Sequence, residues 1–279
     1  MSRVALITGG TDGIGKATAK HLVAAGWEVV ITARNATRAE EAARAISGGS
    51  GPGRVSVIEA DLADMTAVRE AAATFRGRHA RLDVLLLNAN AITQRRVLTR
   101  DGFEANLAVG YLGRVLLLRE LEDVLAATPE AQVLTVVGLD HERLDLDDPQ
   151  LERRFTARSA LMRWQWAMQL YVREHTRRGG VPMNVYMPGL VRTKILANEP
   201  QPMRLAVQIM NFVIGIPVEQ AAAELAGAIE DARGHGRRDT YYWRTKPKPP
   251  RALGERPDDA AQLWALTDRL LAPHTSTRG

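Results

Sequence analysis

Short apolar runs alternate with alanine-rich stretches of helical periodicity from one end of the chain to the other. The apolar runs are continuous, as is typical of strands that a sheet buries on both faces. They predict seven strands, which are Val4–Thr8, Glu28–Ala33, Arg54–Glu59, Asp83–Asn88, Gln132–Val137, Met183–Met187 and Thr240–Trp243. The intervening stretches predict helices over Ile14–Ala25, Thr37–Ser47, Met65–Arg76, Phe103–Ala126, Ala157–Arg178, Val218–Asp231 and Pro257–Leu271.

Alternation of strands and helices is typical of a parallel sheet, because right-handed crossovers make successive strands run in the same direction. We therefore predict an α/β fold in which residues 1–279 form a single Rossmann-type domain. Its doubly wound, mainly parallel sheet has seven strands. The glycine-rich stretch Ser47–Gly53 is interpreted as a surface turn rather than a linker, because the alternation continues after it.

The segment Asn198–Pro217 interrupts this alternation with three prolines and the apolar stretch Leu205–Ile216. In an open α/β sheet, an insertion near the carboxyl ends of the strands is where a substrate cover would lie. An ordinary packed helix is the other interpretation, and the pattern leaves both open. We carry the substrate cover forward as an expectation.

The composition excludes several kinds of chemistry. The chain has no cysteine, so disulfides, zinc–thiolate sites and a cysteine nucleophile are excluded, and a reducing, cytoplasmic location is expected. No apolar run approaches the ~20 residues that cross a bilayer, so we expect no membrane span. The net charge is +5, but acidic residues interleave with the basic ones. We therefore favour a solvated surface over a nucleic-acid partner, and we expect no metal.

A glycine-rich turn joins the first predicted strand to the first predicted helix. Glycine permits a tight turn, a close approach of the backbone to a pyrophosphate, and close packing of helix on strand. The helix N-terminus offers free N–H groups and a partial positive charge to phosphates. The turn therefore predicts a dinucleotide site formed by Gly9, Thr11, Asp12, Gly13, Ile14 and Gly15.

The residues after the second strand indicate which dinucleotide is bound. This strand ends in Ala33 and is followed by Arg34 and Asn35. An acidic residue near this point would bind the ribose 2′-hydroxyl of NAD, whereas an arginine can pair with a 2′-phosphate. Arg34 therefore favours NADP(H), although an ordinary solvent-exposed arginine is the alternative.

Further motifs extend along almost the whole chain. They are the glycine turn, Asp61-Leu62, Leu87-Asn88-Ala89-Asn90, Asp101-Gly102-Phe103-Glu104, Pro188-Gly189-Leu190-Val191-Arg192-Thr193, Tyr241-Tyr242-Trp243 and Ala261-Gln262-Leu263-Trp264. Together they resemble the short-chain dehydrogenase/reductase family, in its retinol-dehydrogenase-like branch. The resemblance implies cofactor contacts from Asp61, Leu62, Asn88, Ala89, Asn90, Pro188, Gly189, Val191 and Thr193. Asp61-Leu62 would meet the adenine, and Thr193 would meet the nicotinamide amide.

The resemblance does not extend to the family's catalytic tetrad. That tetrad is a serine after the fifth strand, a Tyr-x-x-x-Lys pair on the next helix, and an asparagine on the preceding helix. By resemblance, these positions are Gly138 for serine, Thr156 for tyrosine, Ala160 for lysine and Gly110 for asparagine. We therefore predict that all four groups are lost.

A two-residue shift of the alignment would place Arg158 and Met162 at the tyrosine and lysine positions, which is no closer to the family pattern. A Tyr-x-x-x-Lys spacing does occur elsewhere, from Tyr242 to Lys246, but it falls on the last predicted strand and a proline-rich turn. It is interpreted as a coincidence.

Three functions remain open, each with a small-molecule substrate or ligand. The first, which we favour, is an atypical NADP(H)-dependent reductase whose acceptor needs no proton on oxygen, such as an iminium. The second is a non-redox enzyme, such as a cyclase, isomerase or lyase. The third is a pseudoenzyme that binds nucleotide.

Few side chains could replace the lost proton donor. His141 follows the fifth strand and is a weak candidate, with a surface-loop histidine as the favoured alternative. Tyr111 and Tyr186 are further donors, although Tyr186 is expected in the core. Trp164 and Trp166 point to different helix faces. One is expected in the core and the other at the interface of a homodimer.

Overall fold

The structure is a computed structural model that describes residues 2–48, 51–138, 141–192 and 215–274. Its strands are β1 (Val4–Thr8), β2 (Glu28–Ala33), β3 (Arg54–Glu59), β4 (Val84–Leu87), β5 (Gln132–Val136), β6 (Met183–Met187), β7 (Tyr241–Trp243) and β8 (Lys246–Lys248). Its helices are α1 (Gly13–Ala24), α2 (Ala36–Ser47), α3 (Met65–Arg78), α4 (Ala105–Leu107), α5 (Gly113–Ala127), α6 (Ala157–Arg177), α7 (Val218–Gly234) and α8 (Asp259–Leu271). A π-helical turn, Ala108–Leu112, joins α4 to α5, and a 3₁₀ turn, Ala272–His274, follows α8.

All strands lie in one sheet with the order β3-β2-β1-β4-β5-β6-β7-β8. The first seven strands pair in parallel, and β8 pairs antiparallel to β7. This order confirms the predicted Rossmann-type, doubly wound fold. The prediction of seven strands missed β8, because Lys246-Pro247-Lys248 has no apolar run. Pro247 lies opposite Tyr242, and a proline without an N–H is tolerated in a strand only at a sheet edge.

Helices cover both faces of the sheet. Helices α1, α2 and α7 pack on one face, whereas α3, α5, α6 and α8 pack on the other. Successive residues of a strand point to opposite faces, so Leu6 contributes to one core and Ala5 and Ile7 to the other. This two-sided burial explains why the strands are continuous apolar runs in the sequence.

The two tryptophans of α6 are both buried inside the domain. Trp164 is 2% exposed, and Trp166, at 0% exposed, donates from Nε1 to the Leu253 carbonyl over 2.8 Å. They do point to different partners, but the expectation that one of them reaches a dimer interface is wrong. The sequence pattern could not foresee Leu253, which lies in the loop before α8.

A buried ion network lies at the amino edge of the sheet. Asp83, immediately before β4, is 0% exposed, and it accepts hydrogen bonds from the Val4 N–H and the Arg81 Nε over 2.9 Å each. The Arg233 Nη1 of α7 donates to Asp83 Oδ1 over 3.0 Å. Burial raises the pKa of Asp83, but the hydrogen bonds outweigh it, so the pKa lies below its ordinary value.

The predicted cover segment falls mostly on residues 193–214, which lie outside the described residues. Its described remainder includes Ile216, which forms an isolated parallel bridge with Val191. None of the described helices combines the length and the apolar character needed to cross a membrane.

Candidate functional site

A cleft of about 570 Å³ lies at the carboxyl ends of the central strands. Its walls come from the glycine turn, the ends of β2, β3 and β4, and the start of α7. The lining residues are Gly9, Thr11, Asp12, Gly13, Ile14, Thr32, Ala33, Arg34, Ala60, Asp61, Leu62, Asn88, Ala89, Asn90, Ala91, Val109, Arg192 and Val218. This edge, where β1 and β4 lie side by side and the chain reverses its direction across the sheet, is where open α/β sheets bind ligands.

Hydrogen bonds join the ends of β1 and β4 at the floor of the cleft. Thr8 Oγ1 accepts from the backbone N–H groups of Asn88 and Ala89 over 2.8 and 3.0 Å, and Asn88 Nδ2 donates to the Thr8 carbonyl over 3.1 Å. Gly9 then turns with φ +68°, and a Cβ there would lie 2.8 Å from Ala89 Cα. The turn therefore needs glycine both for its backbone conformation and for its approach to β4.

Helix α1 begins in this cleft. Asp12 is its N-cap and accepts from the Gly13 N–H over 2.8 Å. The following N–H groups of the first turn have no partner within the helix, so they are available to an anion. Gly15 does not line the cleft; a Cβ there would lie 2.5 Å from Asn88 Nδ2, so its role is to let α1 pack close to β4.

Two predicted residues after β2 have different surroundings. Arg34 is exposed and lines the cleft, whereas Asn35 is the N-cap of α2 and accepts from the Arg38 N–H over 2.9 Å. After β3, Asp61 and Leu62 line the same end of the cleft, and Asp61 Oδ1 accepts from the Ala63 N–H over 2.9 Å. This end therefore combines one exposed guanidinium with a carboxylate held by its own loop.

Asn90, Ala91, Val109 and Arg192 also line the cleft. Arg192 was missed as a site residue, although it belongs to the Pro-Gly motif that the sequence singled out. Pro188, Gly189 and Val191 of this motif are described but do not line the cleft. Thr193 lies outside the described residues.

Two of the four tetrad positions are closed off by neighbouring side chains of α6. Gly110 lies in the π-helical turn, where a Cβ would be 2.5 Å from the Trp164 ring. Gly138 donates its N–H to Gln165 Oε1, and a Cβ there would lie 2.6 Å from that same oxygen. Both glycines therefore leave room for large α6 side chains. The π-helical turn itself is a feature frequent at functional sites.

The two tetrad positions on α6 carry no acid–base group. Thr156 is the exposed N-cap of α6, and its Oγ1 accepts from the Ser159 N–H over 3.0 Å. Ala160 is buried at 4% exposed. None of the four positions lines the cleft described above. The loss of the tetrad rests on the sequence alignment and stays a prediction.

The three candidates to replace the lost proton donor have different surroundings. His141 is half-buried, next to residues 139–140 that lie outside the described part of the chain, and its role stays a prediction. Tyr186 is in the core, as expected, and donates to the Ala221 carbonyl over 2.9 Å. Tyr111 is 2.6 Å from Thr267 Oγ1, and burial raises the pKa of its hydroxyl well above the ordinary value. Neither tyrosine lines the cleft.

A glycine turn between the first strand and the first helix of a doubly wound sheet, with a cleft above it, is the arrangement by which Rossmann-type folds bind nucleotides. The sequence profile of the family described as short chain dehydrogenase matches residues 3–140. Human polyprenol dehydrogenase is 32% identical over 250 residues, covering 84% of this chain and 76% of the relative. The chain belongs to the short-chain dehydrogenase/reductase family.

A second relative supports this assignment, and solved structures share the fold. Mouse retinol dehydrogenase 14 is 31% identical, covering 95% of this chain and 85% of the relative, which confirms the retinol-dehydrogenase-like branch. An uncharacterised Mycobacterium paratuberculosis protein shares the fold with a TM-score of 0.71 at 24% identity, over 97% of this chain and 93% of the other. An alcohol dehydrogenase from Thermococcus sibiricus, solved with 5-hydroxy-NADP, has a TM-score of 0.64 at 22% identity, over 82% and 91%.

Proposed function

We propose that the protein is an atypical reductase that uses NADP(H) and acts on a small organic molecule. The observation that carries the proposal is the cleft at the carboxyl edge, which brings the glycine turn and Arg34 to one ligand-sized space. Polyprenol dehydrogenase and retinol dehydrogenase by name oxidise alcohols, and these names suggest isoprenoid-like substrates. An isoprenoid aldehyde is therefore one acceptor to test.

The residues of the cleft fit a dinucleotide. Residues of the turn from Gly9 to Ile14, including the start of α1, line the cleft, and backbone N–H groups at such a turn suit a pyrophosphate. Arg34 would pair with a ribose 2′-phosphate, while Asp61 and Leu62 would meet the adenine. Asn90 and Ala91 also line the cleft and would contact the cofactor there. When bound, NADP(H) supplies a hydride.

The residues at the tetrad positions limit which substrate this chain could serve. Reduction of a carbonyl group leaves an alkoxide that needs a proton, and a positioned general acid contributes ~10²–10⁴ in rate. Gly110, Gly138, Thr156 and Ala160 have no side chain of the kind that donates this proton. We therefore propose that the chain binds and orients an activated acceptor, such as an iminium, that needs no proton on oxygen.

The role of Arg34 is tested by Arg34→Ala. A hydrogen bond to a charged group contributes ~1.5–3 kcal/mol, so the variant is expected to bind NADPH ~10–100-fold more weakly. Its affinity for NADH, which lacks the 2′-phosphate, should stay within about twofold of the wild type. Isothermal titration calorimetry measures both constants.

The matched control for this test is Arg44→Ala. Arg44 is an exposed arginine in the last turn of α2, and it does not line the cleft. Its removal should leave both affinities unchanged. Equal losses of NADPH and NADH affinity in Arg34→Ala would remove Arg34 from the 2′-phosphate site.

A non-redox enzyme or a nucleotide-binding pseudoenzyme is the second candidate. It is favoured by the packing of Trp164 and Gln165 against Gly110 and Gly138, because these side chains occupy space next to two tetrad positions. NADPH is titrated against tryptophan fluorescence, and loss of its absorbance is then followed with panels of imines, ketones and isoprenoid aldehydes. Binding without turnover on any acceptor supports this candidate, whereas imine reduction supports the reductase. Absence of NADPH binding contradicts the reductase.

A further inference from the structure

Arg114 is a fully buried cation in α5. It is 0% exposed, and its guanidinium lies between the ends of β4 and β5. Nη2 donates to the Ala89 carbonyl over 2.7 Å, and Nη1 donates to Thr135 Oγ1 over 2.8 Å and to the Val136 carbonyl over 2.9 Å. The face of the Trp164 ring covers the guanidinium at 4.7 Å.

All of these partners are uncharged. No carboxylate among the described residues forms an ion pair with Arg114, whereas many of the other arginines pair with an Asp or a Glu. Burial alone lowers the pKa of the Arg114 guanidinium, to about 9, so the group remains a cation at neutral pH. Its positive charge is therefore neither screened by water nor neutralised by a described acid.

The charge lies directly behind the wall of the cleft. Ala89 presents its carbonyl to Arg114, and Ala89 itself lines the cleft beside Asn90 and Ala91. The glycine turn and Arg34 would hold the pyrophosphate and the adenosine end of a dinucleotide. The other end would then extend towards the ends of β4 and β5, where the tetrad positions Gly110 and Gly138 lie. Val136, which accepts from Arg114, is two residues before Gly138. The Trp164 ring that covers Arg114 also packs against Gly110.

We propose that Arg114 determines which redox state of the cofactor the cleft prefers, by opposing the positive ring of NADP⁺ and accommodating the uncharged ring of NADPH. This inference rests on the proposed NADP(H) site. The two forms carry the same adenosine and phosphate groups, so contacts with these groups bind both forms alike. They differ by one positive charge on the nicotinamide, to which a buried cation nearby is sensitive. Arg114 would not touch the cofactor. Its electric field would act on the nicotinamide through Ala89, whose carbonyl it contacts.

The test compares dissociation constants of NADPH and NADP⁺ by calorimetry for the wild type, Arg114→Met and Arg114→Lys. The wild type should bind NADPH more tightly than NADP⁺. Arg114→Met removes the charge at similar length, so the ratio of the NADP⁺ constant to the NADPH constant should fall at least about fivefold. In Arg114→Lys, burial without an acidic partner lowers the pKa of the ammonium. Its ratio should therefore lie between those of the wild type and Arg114→Met at neutral pH, and approach the wild-type ratio as the pH falls.

Two control variants separate charge from packing. Thr135→Val removes one hydrogen-bond acceptor of Arg114 but leaves the cation in place, so both constants should change together and their ratio should not. Arg44→Met removes an exposed cation of α2 that does not line the cleft, so its ratio should not change. Circular dichroism and thermal unfolding verify that each variant is folded.

Each outcome decides the inference. A wild type that binds NADP⁺ at least as tightly as NADPH overturns it, even if Arg114→Met does not fold. A ratio unchanged in Arg114→Met, with both nucleotides still bound, overturns the role of Arg114 but leaves the NADP(H) site standing. A wild type that binds neither nucleotide overturns both the site and the inference.

Discussion

Two buried charges lie at opposite edges of the sheet, and they are compensated in opposite ways. At the amino edge, the carboxylate of Asp83 accepts from Arg81, Arg233 and the Val4 N–H. At the carboxyl edge, the guanidinium of Arg114 meets only carbonyl and hydroxyl oxygens and the face of a tryptophan. Both groups are 0% exposed.

This difference in pairing suggests different roles. The charge of Asp83 stabilises the fold, whereas the charge of Arg114 would act on a bound ligand. A buried charge costs free energy unless it is paired. Asp83 offsets that cost through the guanidinium groups of Arg81 and Arg233, and the Val4 N–H links it to β1. Arg114 has no such counterion among the described residues and lies behind the wall of the cleft. A field that the protein does not neutralise extends into the space where a ligand would bind.

The largest expected effect comes from Asp83→Asn, which breaks the compensated network. Removing one partner of a buried pair typically costs ~3–5 kcal/mol. We expect about 3 kcal/mol of lost unfolding free energy, the low end of that range, because Arg233 keeps a 3.5 Å contact with Glu130. Urea denaturation measures the loss. As a control, Glu230→Gln removes an exposed pair with Arg3 and should cost under about 1 kcal/mol. A similar cost for both variants would contradict the comparison.

Arg114→Met should have a smaller effect on stability. The Ala89 and Val136 carbonyls lose a donor, but the desolvated charge disappears with it, so we expect a loss of about 1–2 kcal/mol. The same urea denaturation applies, at neutral pH and without nucleotide. A loss as large as that of Asp83→Asn would show that Arg114 is mainly a structural residue, and the contrast between the two edges would then fail.

The pH dependence of the unfolding free energy also distinguishes Asp83 from Arg114, and it is the smallest of the expected effects. Because the folded-state pKa of Asp83 lies below its ordinary value, its contribution is present above the unfolded-state pKa of about 3.9. That contribution is lost as the pH falls from there through the folded-state pKa. The gap in unfolding free energy between wild type and Asp83→Asn should therefore narrow below about pH 4. The gap between wild type and Arg114→Met should stay constant over this range, because a guanidinium does not titrate there.

Local patterns were sufficient to predict the fold and the position of the cleft. The strands from Val4–Thr8 to Tyr241–Trp243 are apolar runs covered on both faces, and the glycine turn stands directly after the first of them. Strand β8 was missed, because it is held by pairing with β7 rather than by its own apolar residues. The side chain of Asn35 caps α2, which the sequence did not indicate, and its cofactor contact stays a prediction.

The chemistry of the site depends on contacts that sequence spacing does not reveal. Arg114 stood in a helical stretch among leucines, and its partners Ala89 and Val136 lie 25 and 22 residues away along the chain. Trp164 was expected to pack either the core or an interface, but its contacts with Gly110 and Arg114 arise only when α6 packs against α5. The cytoplasmic location, the homodimer and the individual cofactor contacts stay predictions.

The neutral surroundings of Arg114 also have a consequence for reducing power. Binding the reduced form of a two-electron couple more tightly than the oxidised form raises the midpoint potential of the bound couple. Each tenfold preference corresponds to about 30 mV. NADPH held beside Arg114 would thus be a weaker hydride donor than NADPH in solution. A weaker donor needs an acceptor that is itself easily reduced.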